Sequence, residues 1–91
     1  MNINHFAYFI EAVRENSITK AAESLFISQS TISKAIKSLE QAYNTKLIDR
    51  KARKFKLTSA GEIFYNSAVK IVSNYQSETE VLATLLHSHR G

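Results

Sequence analysis

Apolar residues at helical spacing between positions 28 and 43 are the feature that most constrains the fold. These positions, three or four residues apart, are Ile32, Ala35, Ile36, Leu39 and Tyr43. They fall on one face of an α-helix, so the pattern predicts a helix that buries this face in a core. The opposite face carries small polar groups and lysines, where an ordinary exposed helix alternates Glu and Lys. We therefore expect another molecule to approach the second face closely.

Short polar residues mark the starts of three helices. Asn4 is predicted to cap a first helix that runs to Glu15, and Ser17 to cap a second helix that ends near Phe26. Ser28 is predicted to cap the third helix, which leaves about three residues between the second and the third. This spacing is typical of a helix-turn-helix. Asparagine tolerates the left-handed conformation that ends helices, so residues 16 and 44 are predicted to adopt it.

A basic hairpin and a long helix are predicted after the third helix. Leu47-Ile48 is followed by alternating basic and apolar side chains at positions 54–57, a pattern with the period of a β-strand. Thr58 or Ser59 is then predicted to cap a long final helix. The order of elements is therefore three helices, a small hairpin and a long helix.

Positive charge is concentrated in one third of the chain. Between Lys34 and Lys56 there are eight basic and two acidic residues, a formal charge of +6, whereas the remainder carries −2. Such an asymmetric charge distribution suits a polyanion such as DNA, RNA or an anionic membrane. Charge alone also allows a solvated, lysine-rich loop.

Composition narrows the class of protein further. The 91 residues, 44% hydrophobic and 22% charged, are typical of one small globular domain. The absence of Cys excludes disulfides and thiolate chemistry, and we expect a reducing, cytoplasmic environment. No basic leader with an apolar run is present at the N-terminus, and we expect no export signal and no membrane span.

The polar face of the third helix suits the major groove of duplex DNA. A helix in this groove brings its backbone close to the base edges, so its outward side chains must be short or able to pair bidentately. The residues that meet this condition, or that follow as phosphate or guanine ligands, are Gln29, Ser30, Thr31, Ser33, Lys34 and Lys37. The alternative is that residues 28–30 merely begin a helix.

Short motifs along nearly the whole chain carry a family resemblance. They are Ser17-Ile18-Thr19-Lys20-Ala21-Ala22, Leu25, Ser28-Gln29, Ser33, Ile36, Leu39-Glu40, Leu47-Ile48-Asp49-Arg50 and Lys56-Leu57-Thr58-Ser59-Ala60-Gly61. Together they resemble the N-terminal region of LysR-type transcriptional regulators. The resemblance implies a mostly α fold, a winged helix-turn-helix of three helices and a small β-hairpin wing, followed by a long linker helix. It also implies sequence-specific binding of promoter DNA as a dimer.

The resemblance also suggests domain limits. The winged domain is expected over residues 1–58, with the helix-turn-helix at about 18–37 and the wing at about 47–57. Residues 59–91 are expected to form the linker and dimerisation helix. The DNA site is expected to be an interrupted inverted repeat, AT-rich, beginning with T and ending with A.

Specific DNA contacts follow from the resemblance by position. Gln29, Ser30, Ser33 and Lys34 are expected to read the major groove, and Arg53 in the wing to reach the minor groove. The predicted DNA-binding set comprises Ser17, Gln29, Ser30, Thr31, Ser33, Lys34, Lys37, Arg50 and Arg53. The family usually has Pro where Ser30 stands, and Gly is frequent in it at the positions of Asn16, Asn44 and Ala52. The shape of the wing around Ala52 is therefore left open.

An apolar stripe along the final helix predicts a dimer contact. Two series at seven-residue spacing form it, and its outer part supplies the predicted dimerisation residues Ile71, Tyr75, Leu82 and Leu85. The alternative is a helix that folds back on its own domain. The resemblance favours an antiparallel pair of linker helices in a homodimer, with a higher oligomer in a full-length parent.

The resemblance sets further expectations about the parent protein. Family members continue into a large C-terminal domain that binds a small-molecule inducer, and we expect this chain to be a DNA-binding fragment that stops before it. A natural short form is the alternative.

The alternatives to DNA binding are an enzyme and a dimerising or RNA-binding module. For an enzyme or a metal site the candidates are His5, His87 and His89, but no phosphate-binding glycine loop accompanies them, and we expect no catalysis, cofactor or metal. RNA recognition usually stacks bases on exposed aromatic rings. The phenylalanines, expected instead to be in the core, are Phe6, Phe9, Phe26, Phe55 and Phe64.

Overall fold

The computed structural model describes residues 2–89 as four helices. They are α1 (Ile3–Glu15), α2 (Ile18–Leu25), α3 (Gln29–Ala42) and α4 (Ser59–His89). The first helix contacts each of the other three, and α2 crosses α3. The predicted mostly helical fold with a long final helix is confirmed.

Side chains cap the starts of the helices, and the cap of the first helix lies two residues earlier than predicted. The hydroxyl of Ser17 accepts the N–H of Lys20 at 3.1 Å, and the hydroxyl of Ser28 caps α3 in the same way, as predicted. The first helix begins earlier than predicted, because Asn2 is the cap and accepts the N–H of Asn4 at 2.9 Å. The earlier start brings Ile3 into α1 and against the core.

Three residues with left-handed backbone end the helices or follow them. Asn16 (φ 53°) and Asn44 (φ 49°) adopt this conformation as predicted. Phe26 (φ 57°) ends α2 in the same way, and its side chain is 95% exposed. The prediction that Phe26 belongs to the core is wrong. It assumed that Phe26 continues the helical periodicity of α2, whereas the left-handed backbone at this residue ends the helix and changes the direction of the side chain.

Aromatic side chains connect α4 to the core. The largest fully buried side chains are Phe9, Ile32, Ile36, Leu39 and Leu47. Phe64 stacks on Phe6 with ring centroids 5.7 Å apart and meets Phe9 edge-on at 5.5 Å. Tyr43, predicted on the buried face of α3, is instead 50% exposed. It lies just past the last helical residue, and its ring packs edge-on against Phe64 at 5.0 Å.

Within the described residues, the predicted hairpin is reduced to one isolated antiparallel bridge, between Ile48 and Leu57. The N–H of Asp49 donates to the carbonyl of Lys56 at 2.9 Å. Regular pairing stops there, because the side chain of Asp49 accepts the N–H of Lys51 at 3.1 Å and turns the chain directly after the bridge. The prediction of a two-stranded β-hairpin is therefore wrong, and we keep the name wing for residues 47–57.

The start of α4 lies directly against the wing. Thr58 is the cap, since its hydroxyl accepts the N–H of Gly61 at 2.9 Å and donates to the carbonyl of Lys46 at 2.6 Å. A Cβ atom on Gly61 would overlap the carbonyl oxygen of Leu47. Glycine is therefore required here for close approach of two backbone segments.

The final helix leaves the domain after its first turns. Ala68 is fully buried and Val72 packs partly against the core, but the following residues of α4 are exposed as far as position 88. The described part of the chain is correspondingly long, with extents of 57 × 26 × 19 Å. In the described residues we find no helix with the length and apolar character that a membrane span requires.

Candidate nucleic-acid interface

The polar face of α3 is open to solvent, as its composition predicted. Five of the six predicted groove residues are exposed, and the sixth, Ser33, is half-buried. The hydroxyl of Ser28 lies 2.8 Å from that of Thr31 and 3.2 Å from that of Ser30. Small hydroxyl groups therefore cluster at the start of the helix, where they leave room for a close approach by another molecule.

A shallow cleft joins the start of α2 to the wing. It is lined in part by Ser17, Arg50, Arg53 and Lys54, so the structure brings three of the predicted DNA-binding residues together. Arg53 and Lys54 are exposed, whereas Ser17 is half-buried and its hydroxyl oxygen already caps α2. The cleft is therefore a second positively charged surface, next to the start of the helix-turn-helix.

Glu40 is a buried acid that links α3 to the wing. One carboxylate oxygen accepts the N–H of Leu47 at 2.8 Å and the N–H of Ile48 at 3.3 Å. The other oxygen accepts Nη2 of Arg50 at 3.2 Å. The Glu40 side chain is 5% exposed and that of Arg50 is 45% exposed. Arg50 therefore belongs to an ion pair within the domain while much of its guanidinium faces solvent.

The pKa of Glu40 reflects competing effects. Burial raises the pKa of this carboxyl, but hydrogen bonds from Leu47, Arg50 and Ile48, with the positive charge of Arg50, outweigh it. The net result is a pKa below the ordinary value of 4.5. The carboxylate is therefore the form that the folded domain stabilises.

The outer part of α4 presents an apolar stripe to solvent. The predicted dimerisation residues are exposed by 43% at Ile71, 53% at Tyr75, 57% at Leu82 and 61% at Leu85. Further exposed apolar residues on α4 are Ile63, Val81 and Leu86. Ile63 and Ile71 line an open apolar cleft of about 350 Å³ that also touches Tyr43. The exposed apolar surface therefore continues from the helix onto the domain.

Comparison with known proteins places this arrangement in a family. The sequence model of bacterial regulatory helix-turn-helix proteins of the lysR family matches residues 3–62. The chain belongs to this family. The resemblance predicted from short motifs is thereby confirmed.

Curated LysR-family relatives are longer than this chain. The transcriptional regulator BenM of Acinetobacter baylyi is 40% identical over 74 residues, which are 81% of this chain and 24% of BenM. BudR of Klebsiella aerogenes is 42% identical over 73 residues, 80% of this chain and 51% of BudR. CysL of Bacillus subtilis is 42% identical over 82 residues, 89% of this chain and 26% of CysL. The chain thus spans about a quarter to half the length of these relatives.

Solved LysR-family structures share the fold. The DNA-binding domain of BenM, determined in complex with catB site 1 DNA, aligns with a TM-score of 0.87 at 35% identity. That alignment covers 94% of this chain and 97% of the BenM chain. DarR of Vibrio fischeri aligns with a TM-score of 0.90 at 23% identity, which supports the fold alone. The long final helix is therefore part of a known architecture.

The histidines offer no metal site in the part of the chain that the structure describes. Among residues 2–89 no three His, Cys, Asp or Glu side chains are placed to hold a metal ion. His87 is exposed on α4, and the side chain of His89 lies outside the described residues. The matched LysR-family proteins carry the names of transcriptional regulators.

Glu40 could have been found from the sequence by one signal. It lies four residues after Ile36 and eight after Ile32, so the helical period that predicts the core also places an acid on the buried face. A buried carboxylate needs partners, which in this LysR-family chain come from the wing. The sequence reasoning used Glu40 only as part of a motif and missed this role.

We expect the stability of the domain to depend on pH through Glu40. Because its pKa is lower in the folded than in the unfolded chain, its contribution is complete above the ordinary value of 4.5 and is lost as pH falls through the lower native pKa. Glu40→Gln should therefore be less stable than wild type at pH 7, and the gap should narrow in acid. Urea unfolding between pH 7 and pH 3 measures this.

An exposed acid on α4 supplies the control for this measurement. Glu80→Gln, at an exposed position, should leave the difference from wild type small at every pH. A gap between Glu40→Gln and wild type that stays constant down to pH 3 would contradict the assignment.

Proposed function

We propose that this chain is the DNA-binding domain of a LysR-type transcriptional regulator. It binds duplex DNA sequence-specifically, as a dimer on an interrupted inverted repeat in promoter DNA, with α3 in the major groove. The observation that carries this proposal is the match over 94% of the chain to a BenM domain that was determined on DNA. The exposed, small and basic residues of α3 supply a surface of suitable shape and charge.

The roles of individual residues belong to the same proposal. Gln29, Ser30, Ser33 and Lys34 read base edges, because the first turns of a recognition helix are the part that reaches them. Ser17, Thr31 and Lys37 contact phosphates, and Arg53 enters a minor groove narrowed by AT-rich sequence. We propose no catalytic activity, cofactor or metal. An inducer acts through a C-terminal domain of the whole regulator, in the cytoplasm.

We expect Gln29→Ala to relax sequence preference. The amide of Gln29 can pair bidentately with one adenine, and its loss should weaken binding to the preferred site by roughly 1 to 3 kcal/mol. Binding to random DNA should change little, because phosphate contacts remain. Selection of sites from random DNA, followed by titration of each variant on selected and random duplexes, measures both effects.

Lys37→Ala provides a contrasting variant for the same titrations. This substitution should weaken binding to both duplexes alike, because a phosphate contact carries no sequence information. It should also reduce the slope of the logarithm of affinity against the logarithm of salt concentration by about one unit. Equal losses for Gln29→Ala on selected and random duplexes would remove Gln29 from base readout.

Dimerisation through α4 is part of the proposed function. The helix has 31 residues, a length of about 46 Å from the helical rise, and among the residues that the structure describes its outer half finds no partner in its own domain. Exposed apolar area of this extent is typical of an interface. An antiparallel pair would place two recognition helices about one turn of DNA apart, or a multiple of it, as an inverted repeat requires.

RNA binding is the second candidate, because one observation favours it. Phe26 is fully available to solvent beside α3, whereas the sequence argument against RNA assumed that every phenylalanine is buried. A competition between duplex DNA and single-stranded RNA of the same sequence separates the two. Preferential retention of the duplex supports DNA binding, and preferential retention of RNA contradicts it.

A further inference from the structure

An open cleft on α3 collects positive charge beyond the residues already assigned to base readout. It has a volume of about 450 Å³ and lies between the second half of α3 and the start of the wing. Lys37, Lys46 and Arg50 line it, and all three are exposed. Glu40 also borders the cleft, but its carboxylate is buried and already accepts three hydrogen bonds. The cleft therefore presents three cations and little accessible negative charge.

The position of the cleft follows from helical periodicity. Lys37 lies seven residues after Ser30 and three after Lys34, so these side chains share one face of α3. Gln41 continues the same row and also lines the cleft. The first turns of a recognition helix meet base edges, so later residues on the same face meet the sugar-phosphate backbone at the edge of the groove. The cleft thus lies where a phosphate is expected.

The guanidinium of Arg50 is held in this cleft by one edge. Glu40 engages only Nη2, whereas a guanidinium carries five N–H donors in a fixed plane. The remaining donors are accessible, since the Arg50 side chain is 45% exposed. A long side chain fixed in this way loses less conformational freedom when it binds an anion. Glu40 itself is fixed by two backbone N–H groups of the wing.

We propose that this cleft is a DNA-phosphate site, formed by Arg50, Lys46 and Lys37, and that Glu40 is its positioning residue. Glu40 fixes the guanidinium of Arg50 and the backbone at Leu47 and Ile48. The DNA contacts from α3 and those from the wing are therefore held in a fixed position relative to each other. The proposal rests on the proposed function, duplex DNA binding. It adds Lys46 and Glu40 to the interface and gives Arg50 a phosphate as its ligand.

Salt dependence of binding tests the phosphate site. Affinity is measured over a range of KCl concentrations on a selected duplex and on a random duplex of equal length. Arg50→Gln and Lys46→Gln should each lower the salt slope by about one unit and weaken both duplexes alike. Lys70→Gln, which removes an exposed cation from α4, is the matched control and should leave the slope unchanged. An unchanged slope for Arg50→Gln overturns the phosphate site.

The direction in which Glu40→Gln changes DNA affinity tests the positioning role of Glu40. This variant removes a negative charge near a polyanion, so simple attraction predicts tighter binding. Release of Arg50 predicts weaker binding instead. Because a glutamine oxygen at position 40 can still accept the N–H groups of Leu47 and Ile48, the double variant with Arg50→Gln should bind no worse than Arg50→Gln alone. Tighter binding by Glu40→Gln, or a further loss in the double variant, overturns the positioning role.

A second variant decides the positioning role if Glu40→Gln proves too unstable at the assay temperature. Arg50→Lys keeps the charge and leaves Glu40 in place, but it replaces the planar fork with a point charge. It should bind both duplexes several-fold more weakly than wild type, and full affinity overturns the role. The proposed function fails separately, if wild type itself does not prefer duplexes selected from random DNA.

Discussion

The double substitution Leu82→Asp with Leu85→Asp is expected to convert the protein to monomers and to weaken binding to a full inverted repeat about a hundredfold or more. In a single chain both leucines are more than half exposed, so the two carboxylates cost the folded monomer little. In a pair of α4 helices the same carboxylates would be buried without partners. Full-site affinity then falls because two linked half-site contacts become independent. Sedimentation and titration on whole and half sites measure these effects.

The opposite face of α4 provides a matched control. Gln76→Asp with His87→Asp adds the same charge at exposed positions that lie about 130 to 160° around the helix from the stripe. This control should remain dimeric and keep full-site affinity. Half-site affinity should be alike in both double variants and in wild type. A Leu82→Asp, Leu85→Asp protein that still sediments as a dimer would assign dimerisation to another surface.

Substitution of Gly61 by Ala is expected to lower the free energy of unfolding by about 3 kcal/mol, at the upper end for overpacked sites. The added Cβ would overlap the backbone carbonyl oxygen of Leu47, which is part of a main-chain segment and not the end of a flexible side chain. Relief requires α4 or the wing to shift, and the Leu47 carbonyl also accepts the N–H of Thr58 at 3.0 Å. Chemical denaturation at a fixed protein concentration measures the loss.

Ser59→Ala is the control for this substitution. Ser59 is exposed in the same turn of α4, and its change to Ala adds no atom near Leu47. Its stability should lie within about 0.5 kcal/mol of wild type. If Gly61→Ala matched that control, close approach of the two backbones could not be the reason for glycine at this position.

Local signals in the sequence predicted most of the helical framework. The caps at Ser17 and Ser28 and the left-handed asparagines depend on interactions within a few residues, so the sequence carries them directly. The errors concern longer-range effects. The wing lacks regular strands because Asp49 turns the chain after one bridge, which alternation of side chains cannot reveal.

The candidate site was predictable to the extent that it depends on one helix. The exposure of Gln29, Ser30 and Lys34 follows from the periodicity of α3. The ion pair of Glu40 with Arg50 does not, because it requires the chain to return to α3 after the left-handed Asn44. Contacts between distant segments are set by packing. The DNA contacts themselves stay predictions, and the titrations above address them.

The continuity of α4 has a mechanical consequence. Its base is held in the core by Phe64 and the buried Ala68, and the helix then runs uninterrupted to His89. From Val72 onward this is a stiff lever about 25 Å long, from the helical rise. A tilt of about 10° at its base would displace the tip by roughly 4 Å over that length. In a dimer joined through α4, the distance between the two DNA-binding domains would thus be set by the angle at which each helix leaves its core. A continuous helix provides no flexible linker that could compensate for a different spacing of the two DNA half-sites.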